Sequence, residues 1–435
     1  MGNYLFQNAT VVTMNEFGEV LHNTDVAVEN GKIVNIGQKC KYKEKKYEII
    51  DCTNKLLIPG LVNSHSHLPM SLLRNYAEDV SFKEWLFKKI GPKEDMFDAQ
   101  CVRAGTLLSL AESLAFGCTS ISDMYFYSED IAKAVAEVGI KANISRGLTC
   151  DDNFQKLKSD KRGKEAISLF ENWHNYNDGQ IIVDMSIHGE YTSTPVLWHE
   201  VADFAAKRNL IIQIHLSESY NEHMNCIEKY GKTPTEIFNE HRVLDCNVTA
   251  AHCVWVTPKD MQILSEHGVN VVHNPVSNLK LANGIADLKK MKKYGLNVSL
   301  GTDGAASNNN LDMFEEIKMA SLLQKGITQD PEVITAYEAL KMATINGAIS
   351  QGREKTTGSI EIGKEADIVA IELKRPNNFP LHDPIATIVY STKASDVTLT
   401  MVKGKILYQN GEWKTIDIER VYSDITSYVN KRIGF

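Results

Sequence analysis

What most constrains this 435-residue chain is a repeated alternation of short apolar, β-branched runs with helical stretches. The runs fall at residues 56–62, 119–124, 141–145, 181–187, 210–214, 248–251, 269–272 and 297–300. Helix signals stand between most of them. Residues 99–116 read as a helix closed by Gly117, and Ser128-Glu129-Asp130 opens another that stops at Gly139. Thr257-Pro258 supplies an N-cap and a first-turn proline for a third, ending at Gly268. Near-continuous apolar strands alternating with helices imply a parallel sheet buried on both faces. Eight such units over residues 57–360 predict an α/β fold, a distorted (β/α)8 (TIM) barrel, in preference to an open doubly wound sheet.

The two ends read differently. Residues 10–13, 25–29 and 32–36 are short strands parted by turn signals such as Glu29-Asn30-Gly31. Residues 367–373, 387–390 and 397–408 look the same. One small β-sandwich assembled from residues 1–56 and 361–435 is expected, ahead of two unrelated β extensions. The lysine-rich run 39–46 is expected to be a solvated loop. Composition is ordinary for a globular protein, and the formal charge of −8 argues against nucleic acid or an anionic membrane as main partner. Eight scattered cysteines without a CxxC pair suit reduced thiols in a cytoplasmic protein better than a disulfide framework or a thiolate zinc site. No apolar run approaches 18 residues, and the N-terminus lacks a signal-peptide pattern, so neither a membrane span nor secretion is expected.

Polar groups appear where the apolar runs stop: His65-Ser66-His67, Asp123, Arg146, His188-Gly189-Glu190, His215 through Glu218, His252, His273-Asn274 and Asp303. In a (β/α)8 barrel those strand ends share one face. Side chains at i and i+2 of a strand point the same way, so His65 and His67 are competent to chelate a divalent metal together. Singly, each is ambiguous: His215 suits a satisfied core histidine, Asp303 a helix N-cap, and Glu218 a solvated loop glutamate. Together, histidines completed by a carboxylate favour catalytic zinc or iron over sealed structural zinc. Glu218 lies three residues after His215, so the chain must turn there if its carboxylate is to face inward.

Longer pieces carry a resemblance. PGLVNSHSHLPMSLLRNYAEDVSFKEWL, QIHLSES, AAHCVWVTP, VVHNPVSNLKLANGIA and LGTDGAASNNNLDMFEEIK resemble the amidohydrolase superfamily, in its branch of 5-methylthioadenosine/S-adenosylhomocysteine deaminases. That branch also contains cytosine-deaminase-like enzymes and chlorotriazine hydrolases. The resemblance implies one divalent metal, usually zinc with iron or manganese as alternatives, held by His65, His67, His215 and Asp303. It implies proton transfer by Asp303 and Glu218, with His252 orienting the nucleophile or hydrogen-bonding the tetrahedral centre, in a zinc-dependent hydrolytic deamination of an adenosine-type substrate. S-adenosylhomocysteine, 5′-methylthioadenosine, and adenosine or 5′-deoxyadenosine are the implied substrates. The alternative is a relative that deaminates or dechlorinates another heterocycle of triazine, guanine or cytosine type. A homo-oligomer is the family-level expectation.

By the same resemblance Trp85 offers an apolar plate, Glu94 accepts from ribose hydroxyls, Arg146 meets the carboxylate of a homocysteine arm, and His188 bonds a purine nitrogen. Arg146 is equally suited to brace the barrel mouth by pairing with Asp123 or Glu190. Departures count as well. Arg162 is a second arginine only by proximity, and His188-Gly189-Glu190-Tyr191 replaces the commoner His-Ser-Pro-Tyr. His273, Asn274, Ser277 and Asn278 read as support of the barrel mouth rather than as ligands.

Overall fold

The computed structural model describes residues 2–37 and 46–434. The lysine-rich run 39–46, Lys46 apart, lies outside the described residues, as does Cys40. From the N-terminus come β1 (Tyr4–Val12), β2 (Val20–Glu29), β3 (Lys32–Gly37), β4 (Glu48–Asp51) and β5 (Lys55–Pro59). Then follow β6 (Leu61–Ser66), β7 (Cys118–Tyr125), β8 (Lys141–Arg146), β9 (Ile181–Val183) and β10 (Met185–Ile187). The series continues with β11 (Ile211–Leu216), β12 (Asn247–His252), β13 (Asn270–His273) and β14 (Val298–Leu300). At the C-terminal end stand β15 (Ile368–Glu372), β16 (Val397–Val402), β17 (Lys405–Gln409) and β18 (Glu412–Trp413).

The architecture is α/β with parallel sheets. β6-β7-β8-β9 pair in that order in one parallel sheet and β10 through β14 in another. A parallel bridge joins Ser66 to Asp303, where the Asp303 amide donates to the His65 carbonyl at 3.0 Å. β9 and β10 are a single run interrupted at Asp184, whose amide donates to Ile144 of β8 at 3.0 Å. The strands of both chain ends meet in one nine-stranded hydrogen-bonded sheet, in which β15 pairs antiparallel with β5.

Two expectations change. The run 56–62 is two strands, because Gly60 ends β5 in the nine-stranded sheet before β6 starts in the parallel one. Residues 387–390, read as a strand, are helical: Asp383 caps Pro384–Ala386 by accepting from the Ala386 amide, and the coil runs on through Thr387–Ser391. A cap and a first-turn proline override the β-branched composition there. The helices expected after the strands are present as Ala99–Ala115, Ser128–Val138 and Pro258–Glu266.

Candidate active site

The C-terminal ends of the parallel strands surround a cavity of about 340 Å³. His67, His188, His215, Glu218, His252 and Asp303 lie on its wall, together with Trp85, Glu94 and Arg146. His65 is buried behind them, with its Nε2 3.5 Å from Asp303 Oδ1. The backbone takes unusual turns at these strand ends. Ser217 (φ 48°), His252 (φ 71°) and Asp303 (φ 62°) all adopt left-handed conformations, which non-glycine residues rarely hold without tertiary support. The turn at Ser217 is the one that Glu218 requires to face inward. Gly301 makes room for the close approach of the chain to His65: a Cβ there would lie 2.8 Å from the backbone of His65.

Three of the imidazoles are fixed through Nδ1. His67 Nδ1 donates to the Met124 carbonyl at 2.6 Å, His215 Nδ1 to the His188 carbonyl at 2.6 Å, and His252 Nδ1 to Asn278 Oδ1 at 2.9 Å. Such bonds select the tautomer that leaves Nε2 as a lone-pair donor. His67 Nε2 lies 3.2 Å from Asp303 Oδ1 and 3.3 Å from His215 Nε2. Two buried lone pairs facing one another at that distance repel unless a proton or cation lies between them. Beyond its 3.5 Å approach to Asp303, His65 Nε2 has no hydrogen-bond partner among the described residues. Ligand atoms of His65, His67 and Asp303, and of His65, His215 and His252, each fall within 4.8 Å of one another. Asp303 keeps Oδ1 for this cluster because Oδ2 accepts from Ser277 Oγ at 2.6 Å and Ser307 Oγ at 2.8 Å. Nitrogen donors plus one carboxylate, buried and uncommitted, fit a single divalent metal.

The electrostatics follow from burial and close pairing. Burial pulls His65 down to about 4, whereas in His67 burial is outweighed by Asp303, which lifts it to about 9. Burial alone would raise Asp303, but the close approach of the His65 and His67 rings to its Oδ1 holds it well below the carboxylate range. Burial, with the charge of Asp303 nearby, pushes Glu218 well above its usual range. Glu218 Oε1 accepts from Asn283 Nδ2 at 2.8 Å, and its Oε2 stands 3.8 Å from His252 Nε2.

The remaining expected residues are also present on the wall. Trp85 is 5% exposed, stacks on Phe82, and donates from Nε1 to the Ala306 carbonyl at 3.4 Å. Glu94 accepts from the Tyr125 hydroxyl, and burial raises its carboxyl. His188 Nδ1 bonds Thr192 Oγ1 at 3.0 Å, and burial lowers the ring to about 4. Arg146 pairs with neither Asp123 nor Glu190 but with Glu165, at 2.8 Å, because the helix Lys161–Trp173 brings that carboxylate back over the end of β8. Glu190 is buried away from the cavity wall, beside Glu222. Asp303 caps no helix; Asp312 caps Met313–Thr328 instead.

Sequence reasoning missed Tyr125, Tyr191, Asn283 and Glu222. Glu222 had a legible signal: Ser219-x-x-Glu222 is a capping box, and its carboxylate accepts from the amides of Ser217, Glu218 and Ser219. Tyr125 and Asn283 act through tertiary contacts that leave no local mark.

Residues 56–407 match the model of the amidohydrolase family, and the chain belongs to that family of hydrolytic enzymes. Within it, the chain is 42% identical over 97% of its length to a 5-methylthioadenosine/S-adenosylhomocysteine deaminase of Thermoanaerobacter pseudethanolicus, of which it covers 97%. It is 40% identical over 98% of its length to a 5′-deoxyadenosine deaminase of Methanosarcina acetivorans, of which it covers 97%. Among solved structures it is similar to a zinc-bound adenosine deaminase from Xanthomonas campestris, with a TM-score of 0.92 and 28% identity over 100% of this chain and 99% of that one.

Proposed function

We propose that this protein is a zinc-dependent hydrolytic deaminase of adenine nucleosides bearing a modified 5′ carbon, in the range of 5′-methylthioadenosine, S-adenosylhomocysteine and 5′-deoxyadenosine. The observation that carries this reading is the meeting of four histidines and Asp303 on the cavity that also holds Glu218 and Glu94. His65, His67, His215 and Asp303 would hold the metal, which supplies a water of lowered pKa and positive charge beside the reacting carbon. Asp303 accepts a proton from the attacking water as its oxygen bonds to C6 of the purine. Glu218, kept protonated by burial, donates to ring N1, so negative charge does not build up on the base. His252, held by Asn278, orients the nucleophile. Asp303 then passes its proton to the amino group, the hydroxyl proton returns to Glu218 as the C6 carbonyl forms, the C6–N bond breaks, and ammonia leaves a hypoxanthine product.

Glu94 accepts from the ribose hydroxyls, Trp85 covers an apolar face of the ligand, and His188 bonds a purine nitrogen. On the same reading the two parallel sheets are halves of one eight-stranded barrel, with β9 and β10 counted as a single strand. The ends of the chain, divided near residues 56 and 361, build the separate β domain. The test is the adenine-to-hypoxanthine absorbance change across a panel of 5′-modified adenosines, cytosine, guanine and a triazine, using zinc-loaded protein. Turnover of the nucleosides alone is expected; turnover confined to a free base or a triazine overturns the assignment.

A further inference from the structure

Among the described residues, Arg146 is the one lysine or arginine on the wall of the cavity, so the part of a ligand beside it is selected by charge. Its guanidinium is already engaged. Nε donates to Glu165 Oε2 at 2.8 Å, and Nη1 donates to the Gly147 carbonyl. The Arg146 side chain is 13% exposed and that of Glu165 39%. Glu165 is not on the wall of the catalytic cavity. It lines a neighbouring cavity of about 520 Å³ with Glu129, Asp130, Lys161 and Lys164, and therefore meets the guanidinium from behind. The next arginine along the chain is engaged too: Arg162 bonds Asp160 through Nε and Nη2, and its Nη1 donates to Thr149 on the cavity wall at 3.2 Å.

Resting on the nucleoside-deaminase reading above, we propose that Glu165 is a specificity-determining residue that sets which 5′ arm the site prefers. With the purine at the histidine cluster and the ribose at Glu94, the wall formed by Arg146, Gly147 and Thr149 is left for the arm. A guanidinium paired with Glu165 presents little net charge there. A ligand carboxylate would make a second anion on one cation, whereas an uncharged thioether or methyl arm meets no repulsion. The site therefore favours uncharged arms over carboxylate-bearing ones. Replacing Glu165 by glutamine keeps a carbonyl acceptor for Arg146 Nε and removes only the charge. Because Glu165 is partly exposed, solvent screens the effect to about five- to tenfold.

The experiment measures binding by calorimetry on the intact zinc-loaded protein, using hypoxanthine nucleosides, which have no amino group left to lose. The three arms are methylthio (neutral), 2-carboxyethylthio (anionic) and homocysteine (zwitterionic). In the wild type the neutral arm should bind more tightly than the anionic one. Glu165→Gln should improve the anionic arm relative to the neutral arm by about five- to tenfold, while Glu165→Asp, which keeps the charge, should leave that ratio within twofold. An unchanged ratio in Glu165→Gln overturns the proposal. So does a selective loss of the zwitterion, which would make Glu165 the partner of the ammonium group. Failure of the wild type to deaminate the matching adenine nucleosides would instead sink the functional reading, and binding of none of the three arms would sink both.

Discussion

Glu218 illustrates how one residue's position and protonation come from different neighbours. Ser217 turns the chain, Glu222 holds the amides of residues 217–219, and Asn283 fixes one carboxyl oxygen, while burial sets the proton affinity. Glu218→Gln preserves shape and burial but cannot release a proton, so kcat should fall by about 10²–10⁴-fold with little change in KM or metal content. Steady-state kinetics beside a metal assay decide this, and a variant within threefold of wild type would remove Glu218 from the proton path. Asn283→Ala takes away only a hydrogen bond to that carboxyl, so its loss should be smaller, about tenfold in kcat. His65→Ala acts differently, because it deletes a donor with no other partner. It should release the metal, lower the melting temperature of protein purified with zinc, and abolish the stabilisation that zinc gives the wild type. Retention of one metal per chain would show that His65 is not a ligand. The histidines, Asp303 and Glu218 were legible in sequence because they sit at the ends of apolar runs. Asn283, Tyr125 and Glu165 were not, since each meets its partner only through tertiary folding that leaves no local pattern.

Among elements, the strands of the parallel sheets were the most legible, because burial on both faces writes an uninterrupted apolar run. Legibility failed where a run carries an internal break. Gly60 divides 56–62 between two sheets, and Asp184 divides 181–187 into β9 and β10. It failed again at Thr387–Ser391, where the cap at Asp383 acts from outside the β-branched stretch. Asp184 also gives the break a testable chemistry. Its carboxyl is buried, accepts from Asn143 Nδ2 at 3.1 Å and Gln213 Nε2 at 2.9 Å, and is raised by burial to about 7. A carboxyl raised above its unfolded value of 3.8 binds more protons in the folded state than in the unfolded one across that interval. Its contribution to stability is therefore greatest near pH 4 and is lost as pH rises through about 7. Asp184→Asn cannot titrate, so the deficit in its melting temperature relative to wild type should shrink as pH is raised from about 5 to 8. A deficit constant over that range would place the carboxyl's titration elsewhere.

On the scale of the whole molecule, the question is what fastens the nine-stranded sheet of the chain ends to the parallel sheets that carry the cavity. Part of the contact is apolar: β16 lies near β7, and Val369 and Val397 approach Gly117 at the start of that strand. A buried charge cluster completes it. Lys141, first residue of β8, is 2% exposed and pairs with Asp367 and with Glu365 Oε2 at 2.6 Å, just before β15. Asp367 Oδ1 also accepts the Lys403 amide at 2.8 Å, from the turn between β16 and β17. None of these residues touches the catalytic cavity. Lys141→Met keeps the length of the side chain but leaves Asp367 buried without its cation, which should destabilise the protein by about 3–5 kcal/mol. Adding Asp367→Asn removes the stranded charge, so the double variant should recover part of that loss, a non-additivity expected only of groups in direct contact. Denaturant unfolding of the two single variants and the double variant measures the coupling. Well below its melting temperature, Lys141→Met should retain a kcat close to that of the wild type, because the cluster joins the sheets at the opposite ends of the strands from the histidines. Additive losses in the double variant would mean that the apolar contact alone holds the sheets together.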